Sequence, residues 1–355
     1  DHAGESAMSL SNRAILAFTV MAALLVIVGF YQSWNVALSI INLCLISAIM
    51  ALGVNIQWGY AGLFNVGIMG FAALGGVAAL LTSKPPVLSA WTAGGLGIFA
   101  AGIVAALVIA VAVFVVRRMT SGWLKTLVMI AIVFGGYLLI RQFYDPAVNA
   151  IEADNPAKSG YLGGLGLPIV FGWFVGGLFA AGAAWFIGKI ALGLRSDYLA
   201  IATLGIAEII VAIIKHEDWM TRGVKNVSGL SRPVPYEIDL QQSERFLSFA
   251  QSWGLDPATA SSIFVKLCYA GLFTVVLLII LWLSEKALNS PWGRMMRAIR
   301  DNDEAASAMG KDIKRRHLQV FILGSAVIGI AGAMLTTLDG QFTPTSYQPL
   351  RFTFL

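Results

Sequence analysis

The side chains that could do chemistry are few, and they sit in unusual company. Glu208 lies inside the apolar run 198–214, with Asp197 at its start. A charge at the centre of a membrane helix costs about 2.5–3.5 kcal/mol on insertion scales, so each such residue needs a physical reason. Two readings fit Glu208. Either it faces the interior of a helical bundle beside a pathway, or it lies about two turns from Lys215 and approaches the interface. The amides Asn55, Gln57 and Asn65 flank the tight stretch Gly59-Tyr60-Ala61-Gly62. Close glycines among amides point to a helix break whose freed backbone groups need partners, and irregular backbone at membrane depth is tolerated only where protein buries it or water lines it. This break either lines a translocation path or is a connecting turn.

No catalytic constellation appears, and no metal site or bound cofactor is expected. His2, His216 and His317 are far apart, and Cys44 and Cys268 sit singly in apolar runs, which reads as two small buried thiols. There is no ladder of acids and histidines for proton pumping, no arginine stripe for voltage sensing and no repeated filter sequence.

The elements that must position these residues are membrane helices. Of the 355 residues, 58% are hydrophobic and only 12% charged, against roughly 25% charged in soluble domains. With a mean hydropathy of +0.78, the composition excludes a soluble enzyme, a nucleic-acid-binding domain and a disulfide scaffold. The net charge of +5 fits basic loops on one membrane side. With about 20 apolar residues per crossing, nine segments are expected at 14–30, 36–54, 59–82, 88–116, 123–140, 168–187, 198–214, 263–283 and 318–338. The fold class is therefore all-α, a polytopic bundle forming one domain over 1–355. The polar start 1–13 and the lack of a small-residue cleavage site argue for a retained first helix rather than a signal peptide.

Loop charges orient the chain. With a cytoplasmic N-terminus, the inner loops 117–122, 188–197 and 284–317 hold the basic excess, including Arg117, Arg118, Lys189 and Arg195. The outer loops 141–167 and 215–262 each carry one more acid than base, as the positive-inside rule requires. Small-xxx-small pairs (Gly172/Gly176, Gly97/Ala101, Ala72/Gly76 and Gly329/Ala333) predict close helix contacts. Arg222, Lys225 and Arg232 in the outer loop are candidate contacts for a binding protein, or simply exposed loop charges.

The inner loop 284–317 is too structured for a tether. Ser290-Pro291 reads as an N-cap with proline at the first helical position, opening a helix with Arg294, Arg297 and Arg300 nearly on one face. Asn302 or Asp303 then caps a second short helix, Glu304 to Met309, which ends at Gly310. Its alanines give it low relief, suited to entering a groove on another protein.

Glu304-Ala305-Ala306-x-x-x-Gly310 resembles the EAA loop of ATP-binding-cassette importer permeases. Its surroundings, GRMMRAIRDNDEAASAMG and KDIKRRHLQVFILGSAVIGIAGAM, are similar to LivM-type permeases of branched-chain amino acid importers. So are ALGVNIQWGYAGLFNVGIMGFAALGG and LRSDYLAIATLGIAEII, in the family's order over roughly 36–350. The resemblance implies a transporter subunit of the bacterial inner membrane. Its implied partners are a second homologous permease chain, two cytoplasmic ATPases that use ATP and Mg, and a periplasmic binding protein. No GxxxxGK[ST] phosphate loop occurs here, so ATP hydrolysis is expected of the partners. Glu304, Ala305, Ala306 and Gly310 become the expected coupling residues, with Arg297 and Arg300 in support. The resemblance also leads one to expect further segments beyond the end at Phe354-Leu355, hence a truncated C-terminus, and a shorter stretch than 117–167. A urea or amide importer permease is the alternative. A secondary carrier or channel is a third reading, without the paired midplane charges of an inverted repeat that would favour it.

Overall fold

The computed structural model describes residues 2–119, 122–154, 160–194 and 196–348. Arg195, the side chain of Asp197 and the terminal Phe354-Leu355 lie outside the described part. The chain folds into helices α1 (His2–Tyr31), α2 (Trp34–Ala61), α3 (Ile68–Ser83) and α4 (Leu88–Ala90). A π-helical turn, Trp91–Gly95, joins α4 to α5 (Leu96–Arg118), and α6 (Trp123–Ala153), α7 (Ile169–Ala191), α8 (Ser196–His216) and α9 (Asp218–Thr221) follow. After strand β1 (Val227–Ser228) come α10 (Glu237–Gln242), α11 (Glu244–Ser252), α12 (Pro257–Asn289), α13 (Pro291–Asp301), α14 (Asp303–Ala308) and α15 (Ile313–Asp339). Strand β2 (Gln341–Phe342) and a 3-10 turn, Pro344–Ser346, close the described chain.

Eight of these helices are long and apolar enough to cross a bilayer, so this is a multi-pass membrane protein. The ninth expected segment takes a different form. α2 runs on to Ala61 and helix resumes only at Ile68, which splits the run 59–82. At about 1.5 Å per residue, the 16 residues of α3 reach about 24 Å, short of a hydrocarbon core of about 30 Å. The long run 88–116 contains the π-helical turn as its irregularity.

α15 is the centre: 61% of its most apolar stretch is buried, against 6% for those of α1, α5 and α6. It packs on α2, α3 and α7, and α12 packs on α2, with Tyr269 reaching α15 and Phe273 reaching Trp173 of α7. Hydrophobic residues gain nothing from leaving lipid for one another, so these contacts rest on close backbone approach. A Cβ added at Gly75 of α3 would overlap the Gly329 carbonyl of α15, and one at Gly329 would lie 2.6 Å from the Gly176 carbonyl of α7. One at Gly176 would meet the Gly75 Cα at 3.2 Å, which closes a three-helix contact. Gly53 of α2 and Gly324 of α15 approach in the same way. The small-residue pairs of the sequence thus lie at helix crossings, including Gly97 against Ala147.

α5 and α6 pair with one another and leave the bundle, touching it at one end only. There Ala90, Ile151 and Leu162 form a small core with Trp219. The bundle end beside them is tied by short connections. β1 and β2 pair antiparallel, Val227 with Phe342 and Ser228 with Gln341. Lys84 Nζ donates to the carbonyls of Ser228 (2.7 Å) and Gly229 (2.8 Å). One thiol departs from expectation: Cys268 is partly buried, but Cys44 is exposed on the outer face of α2.

The glycine contact gives a direct test. Gly75→Leu is expected to lose about 3 kcal/mol through overpacking and to melt well below the parent in detergent. Gly102→Leu, where nothing lies within 4 Å of an added Cβ, should melt with the parent.

Candidate functional site

The helix break is held by a buried chain of hydrogen bonds. Gly62 ends α2 in the left-handed region (φ 70°), where its N–H reaches the Trp58 carbonyl at 3.0 Å. Gln57 is fully buried. Its Nε2 donates to the Phe321 carbonyl (2.9 Å) and to Ser325 Oγ (3.0 Å) of α15, while its Oε1 accepts from Asn65 Nδ2 (2.8 Å). Asn65 Oδ1 in turn accepts the Gly67 N–H at 2.9 Å, and Thr203 Oγ1 of α8 accepts the Val66 N–H at 3.2 Å. The connecting stretch is therefore pinned to α15 on one side and α8 on the other, as freed backbone at this depth requires.

Beside the break lies a groove of about 740 Å³. Met50, Val54, Trp58 and Phe64 form its apolar wall, and Asn55, Asn65 and Arg300 supply its polar groups. Large, mostly apolar hollows with a few convergent polar groups are the usual form of a small-molecule path. Arg300 comes from α13 and donates to the Gly59 carbonyl as well as pairing with Asp301 Oδ1 at 3.2 Å. Two clusters far apart in sequence thus meet at one place.

The loop itself follows its caps. Ser290 Oγ accepts the Gly293 N–H at 3.4 Å and Pro291 opens α13. Asn302 ends α13 and also caps α14, its Oδ1 accepting the Ala305 N–H at 2.9 Å. Gly310 turns the chain at φ 74°. Glu304 and Ala305 are exposed, Ala306 is half-buried, and Met309 at the tip is 79% exposed. The three arginines do not act alike. Arg294 donates to the Asn289 carbonyl (3.1 Å) and Arg297 to the Leu288 carbonyl (3.5 Å), at the end of α12, while Arg300 alone reaches the break.

Other sequence candidates lie apart from the groove. Glu208 is exposed on α8, and no hydrogen bond or ion pair engages its carboxylate among the described residues. At the opposite end, Lys225 Nζ lies 3.7 Å from Asp218. Arg232 binds both carboxylate oxygens of Glu237 (3.0 and 3.2 Å) and covers the Tyr236 ring. Arg222, in the left-handed region at φ 60°, caps α9, its N–H on the Asp218 carbonyl at 2.8 Å. These cations are tied into their own loop. Burial lowers the nearby Lys84 ammonium below its ordinary range and the Arg222 charge adds to that, while burial raises the Tyr161 phenol.

Sequence reasoning missed Ser325 and Thr203, the hydroxyls that hold the break, and the apolar wall of the groove. A serine within FILGSAVIG was a usable signal for the first. Trp58 and Phe64 look like any other membrane aromatics.

Gln57→Leu should leave Asn65 and Ser325 without their buried partner. The expected loss is about 2 kcal/mol, read as a lower melting temperature in detergent, with Asn55→Leu on the groove's open side changing it far less.

The sequence matches the family model described as branched-chain amino acid transport system / permease component over residues 36–161 and 156–354. It is 30% identical over 265 residues to the high-affinity branched-chain amino acid transport system permease protein LivM of Escherichia coli (strain K12), which covers 69% of this chain and 59% of that protein. The protein of the same name from Salmonella typhimurium is 29% identical over 48% of this chain and 40% of its own. The probable branched-chain amino acid transport permease protein LivM of Methanocaldococcus jannaschii is 26% identical over 69% of this chain and 63% of its own. The chain thus spans less than two thirds of the length of each of these relatives. No solved structure matches it.

Proposed function

The chain belongs to the family of branched-chain amino acid transport permease components, and from that membership we propose that it is a membrane-spanning subunit of an ATP-binding-cassette importer. Its cargo on this reading is branched-chain or other hydrophobic amino acids, and its membrane the bacterial inner membrane, with the N-terminus and the 284–317 loop cytoplasmic. A second homologous permease chain, two cytoplasmic ATPases that use ATP and Mg, and a periplasmic binding protein complete the machine.

The observation that carries the proposal is the bridge between loop and groove. α14 is exposed and capped at both ends, as a helix that enters a partner's cleft must be. It shares Asn302 with α13, and α13 reaches the groove through Arg300 on the Gly59 carbonyl. When the ATPases close, a push on α14 moves α13. Arg300 then pulls on the end of α2, where the short connection 62–67 can shift without breaking a helix. The groove wall rearranges with it, and the bundle passes between inward-open and outward-open states. Gly62 suits this place because an added Cβ would sit 3.2 Å from Arg300 Cγ.

The test is uptake of labelled leucine into vesicles that hold the complete importer, with unlabelled urea as competitor. ATP-dependent, saturable uptake that urea leaves unchanged is expected; uptake blocked by urea would move the substrate to the amide class, and uptake without ATP would end the importer reading. In the same vesicles Glu304→Lys should uncouple ATP hydrolysis from uptake while the complex stays assembled. Arg300→Ala should lower uptake by roughly tenfold, within the range of typical coupling energies. Normal uptake in both variants would remove the coupling role.

A further inference from the structure

The nine-residue helix α11, Glu244–Ser252, carries an apolar side that the bundle only partly covers. Phe246, Phe249, Ala250 and Trp253 recur at the three- and four-residue steps that place side chains on one side of a helix. Ala250 is buried and Phe246 half-buried, but Phe249 is 54% and Trp253 71% exposed, and Leu255 in the turn that follows is exposed as well. Glu244, Ser248 and Gln251 occupy the opposite side, all exposed. Ser248 and Ser252 close their hydroxyls onto their own helix, donating to the Arg245 carbonyl (2.9 Å) and the Phe249 carbonyl (2.7 Å). A helix this short is marginal in water, and two bare aromatic rings add a cost there that an apolar surface removes.

What covers this side follows from where its rings lead. Trp253 lies 6.1 Å from Phe249 between ring centres, Phe249 lies 6.4 Å from Phe246, and Phe246 lies 5.8 Å from Phe264 of α12. The file of rings therefore runs from α11 onto a membrane-spanning helix. Phe264 is exposed, and so are Leu267 and Leu278 farther along α12, on a flank that lipid wets. The depth is marked too. α12 opens with the polar run PATASS and turns apolar at Ile263, so Phe264 stands where the hydrocarbon begins. Two residues on, Lys266 sends its Nζ to the Asn35 carbonyl at the start of α2 (2.9 Å). Tyr31 and Trp34 are exposed there, in the manner of the aromatic belt at a membrane surface. The adjoining α10 fixes α11 at this level, because Gln241 Nε2 donates to Ser261 Oγ of α12 at 2.9 Å. A water-soluble protein cannot follow the rings past Phe264 into the bilayer, whereas lipid is already there. Trp253 pairs an apolar ring with an N–H, the combination that suits the boundary between acyl chains and headgroups.

We propose that α11 is an interfacial helix lying in the bilayer surface, with its Phe249–Trp253 side among the acyl chains and its Ser248–Gln251 side toward water. Its partner is the lipid surface itself. Apolar area rather than charge drives the contact, since Glu244 and Arg245 offset one another. The helix then anchors the segment between β1 and α12 to the membrane. The assignment needs only a chain that spans the bilayer and does not rest on the importer reading.

Nitroxide labels test it. The complete assembly, with its other cysteines replaced (Cys44→Ser and Cys268→Ser in this chain), is placed in phosphatidylcholine nanodiscs. Phe249→Cys, Trp253→Cys, Ser248→Cys and Leu278→Cys each carry one label, and its relaxation is read with oxygen, which concentrates in lipid, and with a water-soluble nickel chelate. The labels replacing Phe249 and Trp253 are expected to favour oxygen several-fold more than the one replacing Ser248, and less than the one replacing Leu278 within the span. Phe249 and Trp253 are both exposed, so their replacement leaves the fold intact, and either label alone decides. Equal ratios at Phe249 and Ser248 would overturn the assignment, because the side would then face water. Labels that neither reagent reaches would overturn it as well, because a protein chain would then cover the side.

Discussion

The contact of Gly75, Gly329 and Gly176, where three helix backbones touch with no side chain between them, sets the spacing of the bundle. In a bilayer the apolar side chains of facing helices are as well solvated by lipid as by one another, so attraction must come from dispersion at close range and from hydrogen bonds. Residues without a Cβ are what make that range accessible. Once α3, α7 and α15 are locked, α2 is drawn onto α15 through Gly53 and Gly324, and its far end is carried to the place where the chain must turn. The hydrogen bonds of Gln57 to Phe321 and Ser325 depend on that approach, because a wider crossing would leave a buried amide without partners.

The polar break is thus a product of tight packing. Its groups are satisfied across α15 and α8 together, so it is stiff in itself and movable only where those neighbours allow. The loop at the other side of the groove has the opposite character. α13 is anchored by the buried Met296 and Ile299 as well as by Arg300, but α14 beyond it is exposed at every residue except the half-buried Ala306. Rigid bundle and exposed lever meet at Gly59, through a main-chain carbonyl that any residue there would present.

What could be read in the sequence is what is decided locally. Helical segments follow from hydropathy because the bilayer leaves the backbone few alternatives, and Ser290, Asn302 and Gly310 announced their helix ends because a cap is settled within three or four residues. The division of 59–82 was half visible: glycines and amides marked a break, but whether the helix would run to Ala61 depended on Gln57 finding α15. The union of Arg300 with Gly59 spans 241 residues in sequence and left no local trace. The loop cations pair with acids close in sequence, Arg232 with Glu237 and Lys225 with Asp218, but outside a regular helix the spacing does not show which acid each one meets. The exposure of Cys44 has no signal in the sequence, because an apolar neighbourhood says nothing about which side of a membrane helix faces the bundle.

The α5–α6 pair touches the rest of the protein at one end, where Tyr144 and Trp219 both donate to Glu217 and Ile151 packs beside Leu162. Along most of their length the two helices have only each other and the exposed flanks that lipid would wet. A pair hung in this way adds breadth to the molecule without adding to its centre. Lengthening or shortening it leaves the glycine crossings untouched, so this is the part of the architecture where residues can be gained at least cost, and the stretch 117–167, longer than the resemblance implied, falls largely within it.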